Sequence, residues 1–361
     1  MHKPLSYYTY CKGNYSVILR YITSVTLCII LLGVTKVVIN NQKDELDVWS
    51  IKHQYYSFLY SRDQAIGEEL LCSIKVLDSV EGIYPYESYY QGFQGFLSNM
   101  DSMTYFLDRE GIVKIMSQLV PDYDVSQIPQ NDQREALLSR RLVKNGGVKI
   151  GDEIIEEDAI TYQASFESIL PIGFCPTAIE DRGYHYLILA KTGQIDQMNQ
   201  AIRNILPQGI MYEDLESLKK ENIYDNRTLE QTFNIIMVVM TLGVAMTTGV
   251  LTYIHYLARR REVGILSAIG YSNQTLIIRM TKEILISTVL ATMLAIIMIQ
   301  LIICGFNIFV ALPNGYIPFR LGLNVLKLLM IIPFFMMVFS LIPTWILLTT
   351  TTQVTLVQRG Y

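Results

Sequence analysis

The stretch Arg259-Arg260-Arg261-Glu262-Val263-Gly264-Ile265-Leu266-Ser267-Ala268-Ile269-Gly270 follows directly on an apolar run, and its reading decides the fold. Three arginines at the end of such a run read as anchors at a membrane edge. The residues after them are too few to cross a bilayer, which takes roughly 20 apolar residues. Val263, Leu266, Ile269 and Gly270 recur at helical spacing, and Ile265 widens the stripe. Gly270 is placed to end a short helix. Ser272 is placed to cap the next one, through "NQTLIIRMTKEILI". An apolar stripe on a loop needs a cover, either lipid headgroups or another protein.

Working outward, four windows are long and apolar enough to span: 17–39, 232–258, 284–310 and 328–350. The last carries Pro333 and Pro343, which membrane helices tolerate where neighbours satisfy the freed backbone groups. Lys3 and Lys12 precede the first span, and Arg20 stands in its first turn, before the clean apolar core. Arg259, Arg260, Arg261, Arg279 and Lys282 lie between the second and third. The excess of Lys and Arg places both segments inside, as cytoplasmic N-terminus 1–16 and loop 259–283. Segment 40–231 and a short loop 311–327 are then outside, and the C-terminus 351–361 is cytoplasmic. Residues 41–231 hold 31 acidic and 17 basic residues, a formal −14, and the remainder carries +10. Lys36, Arg320 and Lys327 fall on the outer side and read as snorkelling residues. The first span lacks a small-x-small cleavage pattern and reads as an uncleaved anchor.

The expected fold is an α-helical membrane domain of four transmembrane helices with a large α+β extracytoplasmic domain between the first and second. In that outer domain "REALLSRRLVK" (134–144) reads as a helix stopped by Asn145 to Gly147. "VKIGDEI" reads as two short strands around a Gly-Asp turn. "YHYLILAK" reads as a strand, and "IDQMNQAIRNILP" as an amphipathic helix. The expected sheet is small and mixed. The tyrosine-rich "YPYESYYQGFQGF" (84–96) reads as a loop packed by aromatics or a sticky partner surface. "NRTLEQTFN" runs into the second span without a breaker, with Asp225 or Asn226 as its cap. "NNQKDELDVWSIKHQYYSFLY" also lacks Gly and Pro, so both spans are expected to continue outward as helical stalks. Cys72 and Cys175 are the two outer cysteines, either bridged or two buried thiols. "GDEIIEED" (151–158) is acidic, but its spacing does not fit a calcium loop.

No G-x-x-x-x-G-K-[ST] occurs, and no Gly-Lys pair at all, so the chain has no phosphate-cradling loop with its lysine. The histidines, His2, His53, His185 and His255, have no metal spacing. G-x-S-x-G and H-E-x-x-H are both absent. No enzyme activity and no nucleic-acid partner are expected. The last three spans carry no formal charge, which disfavours a polar pathway through them. Ala245-x-x-x-Gly249 and Gly243-x-x-x-Thr247 set small residues at helix-packing spacing, either for a dimer contact or for packing within the chain.

"RRREVGILSAIGYSNQTLIIRMTKEILI" resembles the cytoplasmic loop of FtsX-like/MacB-like permeases of the type VII ABC transporter superfamily. The likeness is carried by Arg259 to Arg261, Glu262, Gly264, Leu266, Ala268, Gly270 and, at the membrane entrance, Glu283. "REALLSRRLVKNGGVKIGDEI" resembles the helix-then-"GD" element of the MacB-type outer domain. The resemblance implies the permease subunit of an ABC transporter in the cell membrane of a bacterium. It would pair with a second permease subunit, identical or related, and with a separate ABC ATPase that binds ATP and Mg. Arg261, Glu262, Val263, Gly264, Leu266, Ile269 and Gly270 would form the helix that couples to that ATPase. Gly243, Ala245 and Gly249 are the candidate dimer contacts. ATP hydrolysis would move the outer domain and displace a peptide, a lipoprotein or a hydrophobic compound. The alternatives within the resemblance are an FtsX-like regulator of a cell-wall hydrolase and a partner in antimicrobial-peptide sensing.

Overall fold

The computed structural model describes residues 15–350 other than 63, 97, 98, 132, 156–158, 180 and 259. The N-terminal 1–14 and C-terminal 351–361 segments, and Arg259, thus lie outside the described residues. Four helices are long and apolar enough to cross a membrane, over Ile18–Glu45, Gln231–Ile254, Gln274–Ala311 and Leu323–Ile342. They belong to α1 (Tyr15–Ser50), α6 (Leu215–Ala258), α8 (Asn273–Phe306) with the π-helical segment Asn307–Ala311 that continues it, and α9 (Leu323–Thr350). Between α6 and α8 lies the short α7 (Arg260–Ala268). The chain is a multi-pass membrane protein that divides into two compact units. One comprises 1–40, 230–306 and 319–361, and the other 41–229 and 307–318.

In the membrane unit, small residues let helices approach closely. Ala291, Ala295, Ile299, Leu329 and Ile332 are fully buried, with Ile29 and Leu32 of α1. A Cβ on Gly33 would lie 2.5 Å from Ile299 Cδ1. Thr26 Oγ1 donates to the Ala291 carbonyl at 3.2 Å. Apolar residues on the other faces, among them Ile235, Val239, Met293, Leu301 and Met330, stay exposed. In water that would be costly, but lipid tails solvate such faces.

The outer unit is built on two sheets rather than the single small sheet expected. The strands are β1 (Tyr56–Tyr60), β2 (Val80–Pro85), β3 (Glu87–Gln94), β4 (Asn99–Leu107) and β5 (Glu135–Ser139). There follow β6 (Glu153–Ile155), β7 (Ile160–Phe166), β8 (Gly173–Pro176), β9 (His185–Ala190) and β10 (Met211–Glu213). One sheet runs β10-β1-β9-β2 and is antiparallel. The other runs β3-β4-β8-β5-β7-β6, with parallel pairs β4/β8 and β5/β7. Strand β9 is buried on both faces because its side chains alternate. Leu187 and Leu189 join a core with Tyr56, Phe58, Tyr105, Phe174 and α3 (Arg109–Leu119). Tyr186, Ile188 and Ala190 join Ile74 of α2 (Glu68–Lys75) and Met198 and Ile202 of α5 (Ile195–Ile205).

Strand β9 and helix α5 stand where the sequence places them. Three expectations fail. Residues 134–144 are not one helix: Glu135–Ser139 is the strand β5, and α4 (Arg140–Gly146) begins only after it. Ala136, Leu137 and Leu138 are all buried, and a short apolar run has no period that separates strand from helix. Ser139 caps α4, accepting from Leu142 N–H, and Gly147 ends it at φ +63. "VKIGDEI" gives one strand, β6. Its first half is a turn in which Lys149 N–H donates to Asp152 Oδ2 at 2.7 Å. The tyrosine-rich segment is not a loop but strands β2 and β3. Cys72 is exposed, Cys175 is buried, and no disulfide joins them.

Helix α6 begins at Leu215, well before Asp225 and Asn226, which lie in its interior. Its cap is Asp214, whose Oδ1 accepts from Ser217 N–H (2.9 Å) while Asp214 N–H donates to Ser217 Oγ (2.8 Å). This reciprocal pairing satisfies two otherwise orphaned donors. With 44 residues in α6 and 36 in α1, at about 1.5 Å per residue, both helices exceed the roughly 30 Å of a bilayer core.

Candidate functional site

The loop between α6 and α8 closes on itself before it can serve a partner. Gly270 adopts φ +103, beyond what a side chain tolerates. Gly270 N–H donates to the Ser267 carbonyl (3.0 Å) and Tyr271 N–H to the Leu266 carbonyl (3.1 Å). These two bonds form a Schellman cap, accompanied by contact between the residues at its ends. Here those residues are Leu266 and Tyr271, both packed into the cluster of Tyr256, Val263, Leu276, Met280 and Ile284. Ser272 Oγ then accepts from Thr275 N–H at 3.3 Å and starts α8. The terminator and cap read from the sequence are therefore in place.

The apolar stripe is divided. Val263 is 3% exposed and Leu266 half-buried, and both face the chain's own helices. Gly264 is buried too. Ile265 and Ile269 are the exposed ones, at 49% and 71%. The expectation that Val263 and Leu266 face outward is thus corrected: they build the hairpin, and Ile265 and Ile269 are what it presents. The side chains of Arg261 and Glu262 lie outside the described residues. Glu283 is buried on α8, accepting from Arg279 Nε at 3.1 Å. It lines a cavity of about 30 Å³ with Tyr21, Thr252, Tyr256 and Ser287.

The small residues of α6 separate likewise. Ala245 and Gly249 are buried, and a Cβ on Gly249 would lie 2.9 Å from the Phe339 carbonyl of α9. That face packs within the chain, against α9. Gly243 faces open space, and Thr247 is exposed as well.

In the outer unit the two stalk helices end at one polar junction. A 3-10 turn, Ile51–Gln54, follows α1. Its Lys52 Nζ lies 3.8 Å, and its His53 Nε2 3.4 Å, from Glu213 Oε1. Glu213 immediately precedes Asp214, the α6 cap, to which Arg203 donates at 2.6 Å. Burial lowers the Lys52 ammonium, partly offset by Glu213. Burial also lowers the His53 imidazole, against the opposing pull of the Glu213 carboxylate that faces its Nε2. Burial pushes the Glu213 carboxyl up, but His53 and Lys52 together hold it below its usual range. Tyr56, Tyr86 and Tyr105 around this junction are raised by burial and stay neutral. Among the described residues no group of His, Cys, Asp and Glu is placed to hold a metal ion.

The outer portion is similar to three solved permease or transporter domains. The extracellular domain of the noncanonic ABC-type transporter YknZ from Gram-positive bacteria is 10% identical, with a TM-score of 0.28 over 44% of this chain and 100% of that one. The periplasmic region of MacB from Actinobacillus actinomycetemcomitans is 7% identical, at 0.26, over 46% and 91%. A domain of a putative permease protein from Porphyromonas gingivalis is 13% identical, at 0.23, over 44% and 86%. No protein-family model and no curated protein matches the chain. TM-scores this low leave the functional reading to the chain's own residues.

Sequence reasoning did not find the Lys52–His53–Glu213 junction, nor a second cluster around Glu45 and Arg141. The signal for the latter is faint but present. Val37, Asn41, Glu45 and Val48 are all buried along one stripe of α1. Polar residues at buried helical spacing announce partners elsewhere in the chain.

Proposed function

We propose that this chain is the permease subunit of an ABC transporter. It couples ATP hydrolysis by a separate ATPase subunit to movement of its outer unit, displacing a peptide, a lipoprotein or a hydrophobic compound at the outer membrane face. The carrying observation is the hairpin of α7. A capped helix beside a run of arginines presents Ile265 and Ile269, which stay exposed among the described residues. Exposed apolar side chains on a pre-organised helix suit a groove on a partner, with little ordering left to lose on docking. The ATPase supplies that groove, and α7 follows its closure. Helix α6 runs without interruption from this loop to the Asp214 cap in the outer unit, and so offers a stiff route for the motion. A second permease subunit completes the assembly, with the Gly243 face of α6 as its point of contact. The N-terminus and C-terminus then lie in the cytoplasm, in a bacterial cell membrane.

The double variant Ile265→Glu with Ile269→Glu tests this reading. Purified from its native membrane, the wild type should carry an ABC ATPase, and the variant should lose it while inserting and melting as the wild type does. Retention of the ATPase at wild-type yield would refute the coupling role.

A further inference from the structure

The last two membrane helices are joined on the outside by a connection that belongs, in its first part, to the outer unit. Residues 307–318 cluster with 41–229 and not with the spans they link. The reason is a knot of named contacts. Arg141 of α4 places Nη2 2.8 Å from both carboxylate oxygens of Glu45 on α1. The same carboxylate accepts from Ile317 N–H at 2.8 Å. One helical turn earlier, Asn41 Nδ2 donates to the Ile317 carbonyl at 3.0 Å. Arg141 Nε donates to the Gly315 carbonyl at 2.7 Å, and Nη1 donates to the Ile169 carbonyl. Asn145 Nδ2 donates to the Asn314 carbonyl at 3.1 Å. The guanidinium lies 5.2 Å over the Phe93 ring, which makes a T-shaped contact with Tyr316. Gly315 sits at φ +71, and a Cβ there would fall 2.4 Å from the Arg141 carbonyl, so the turn admits only glycine.

Glu45 and Arg141 are 4% and 12% exposed at their side chains. A buried ion pair is a poor investment in stability, since well-packed apolar residues in its place do as well or better. What the pair supplies is direction. A guanidinium fork holds several acceptors in a fixed geometry, which an ammonium cannot do. Here the fork joins three pieces of chain: the end of the first span's stalk, the domain helix α4, and the connection from α8 to α9.

We propose that Glu45 and Arg141 are positioning residues that bind the α8–α9 connection into the outer unit, so that movement of that unit is transmitted to the last two spans as well as to the first. The linkage deepens the permease reading and rests on it. It gives the outer unit a third hold on the membrane helices, beside α1 and α6, and this hold is non-covalent.

Hydrogen exchange on the full chain in nanodiscs tests the linkage. In the wild type the Ile317 amide is protected. In Arg141→Lys, which keeps the charge and loses the fork, exchange over 314–317 should rise about ten-fold or more while β9 stays protected. Should β9 lose protection as well, Asn41→Ala takes its place. It removes only the bond to the Ile317 carbonyl and is expected to raise the same exchange several-fold. Unchanged exchange over 314–317 would overturn the linkage. A second arm adds ATP to the complex with the ABC ATPase that co-purifies. Arg141→Lys should hydrolyse ATP as the wild type does yet lose the ATP-dependent change in exchange over 307–318. Persistence of that change at wild-type size would overturn the transmitting role. If the wild type brings down no ATPase, the permease reading falls, and the nucleotide-free exchange still decides the linkage.

Discussion

The chain turns back twice around α8, once at each end, and the two turns are finished in opposite ways. The loop at 259–272 is closed by its own backbone bonds and leaves Ile265 and Ile269 uncovered. The turn at 312–318, which follows the π-helical segment Asn307–Ala311 at the end of α8, is held by side chains that arrive from α1 and α4, more than 100 residues earlier in the sequence. The first is a local structure with two apolar side chains left exposed. The second is a long-range structure already occupied by the chain itself. A loop can therefore be equally rigid for two different reasons, and only the first kind leaves a surface to spare.

The largest expected break in this contrast is at the outer turn. Arg141→Ala leaves the Glu45 carboxylate buried without its counter-charge, and removing one partner of such a pair costs about 3–5 kcal/mol. Denaturant unfolding of the full chain in detergent, followed through the outer unit, should show that loss.

The inner turn breaks more gently and only from one side. Leu266→Ala removes packing against Tyr271 and the α8 cluster and should cost about 2 kcal/mol. Ile269→Ala, at a position 71% exposed, should stay within about 0.5 kcal/mol. Equal losses at the two positions would mean that the hairpin faces the other way.

The smallest effect concerns the stalk junction. Burial holds His53 below its ordinary value near 6.5, so the unfolded chain binds the extra proton first and stability falls as pH drops through 6.5. Lys52, Glu213 and Asp214 are the charged groups acting on it. Glu213, also held below its usual range, adds a loss in the same direction at more acid pH. His53→Phe should flatten the decline between about pH 7 and pH 5 and, by removing one of the two groups that hold Glu213 down, also weaken the more acid limb, as read from melting temperature against pH.

What the sequence made legible was local. The four apolar windows, the glycine that ends α7, Ser272 at the start of α8, strand β9 and helix α5 each carry their signal within a dozen residues. Strand β5 is hard to read because β7 and β8 pair with its two edges while Leu137 on one face and Ala136 and Leu138 on the other join buried clusters, and a run without a period carries no information about its partners. The start of α6 was placed too late because the true cap, Asp214, stands behind a polar stretch with no apolar stripe to announce it. The division of the stripe at 263–269 was equally hidden. Helical spacing gathers Val263, Leu266 and Ile269 near one side, but which of them faces inward depends on where α8 returns.

The composition of the outer unit, 41–229 with 307–318, has a consequence for how the protein is made. The ribosome delivers those two pieces with two membrane helices between them. The first piece is translocated and begins to fold while the Ile317 amide that Glu45 will bind has not been synthesised, and the unit is completed only once α8 has been threaded and its outer end has crossed. A soluble fragment cut at 41–229 is for the same reason an unfinished domain. It keeps the Glu45–Arg141 pair but lacks the backbone that seals it.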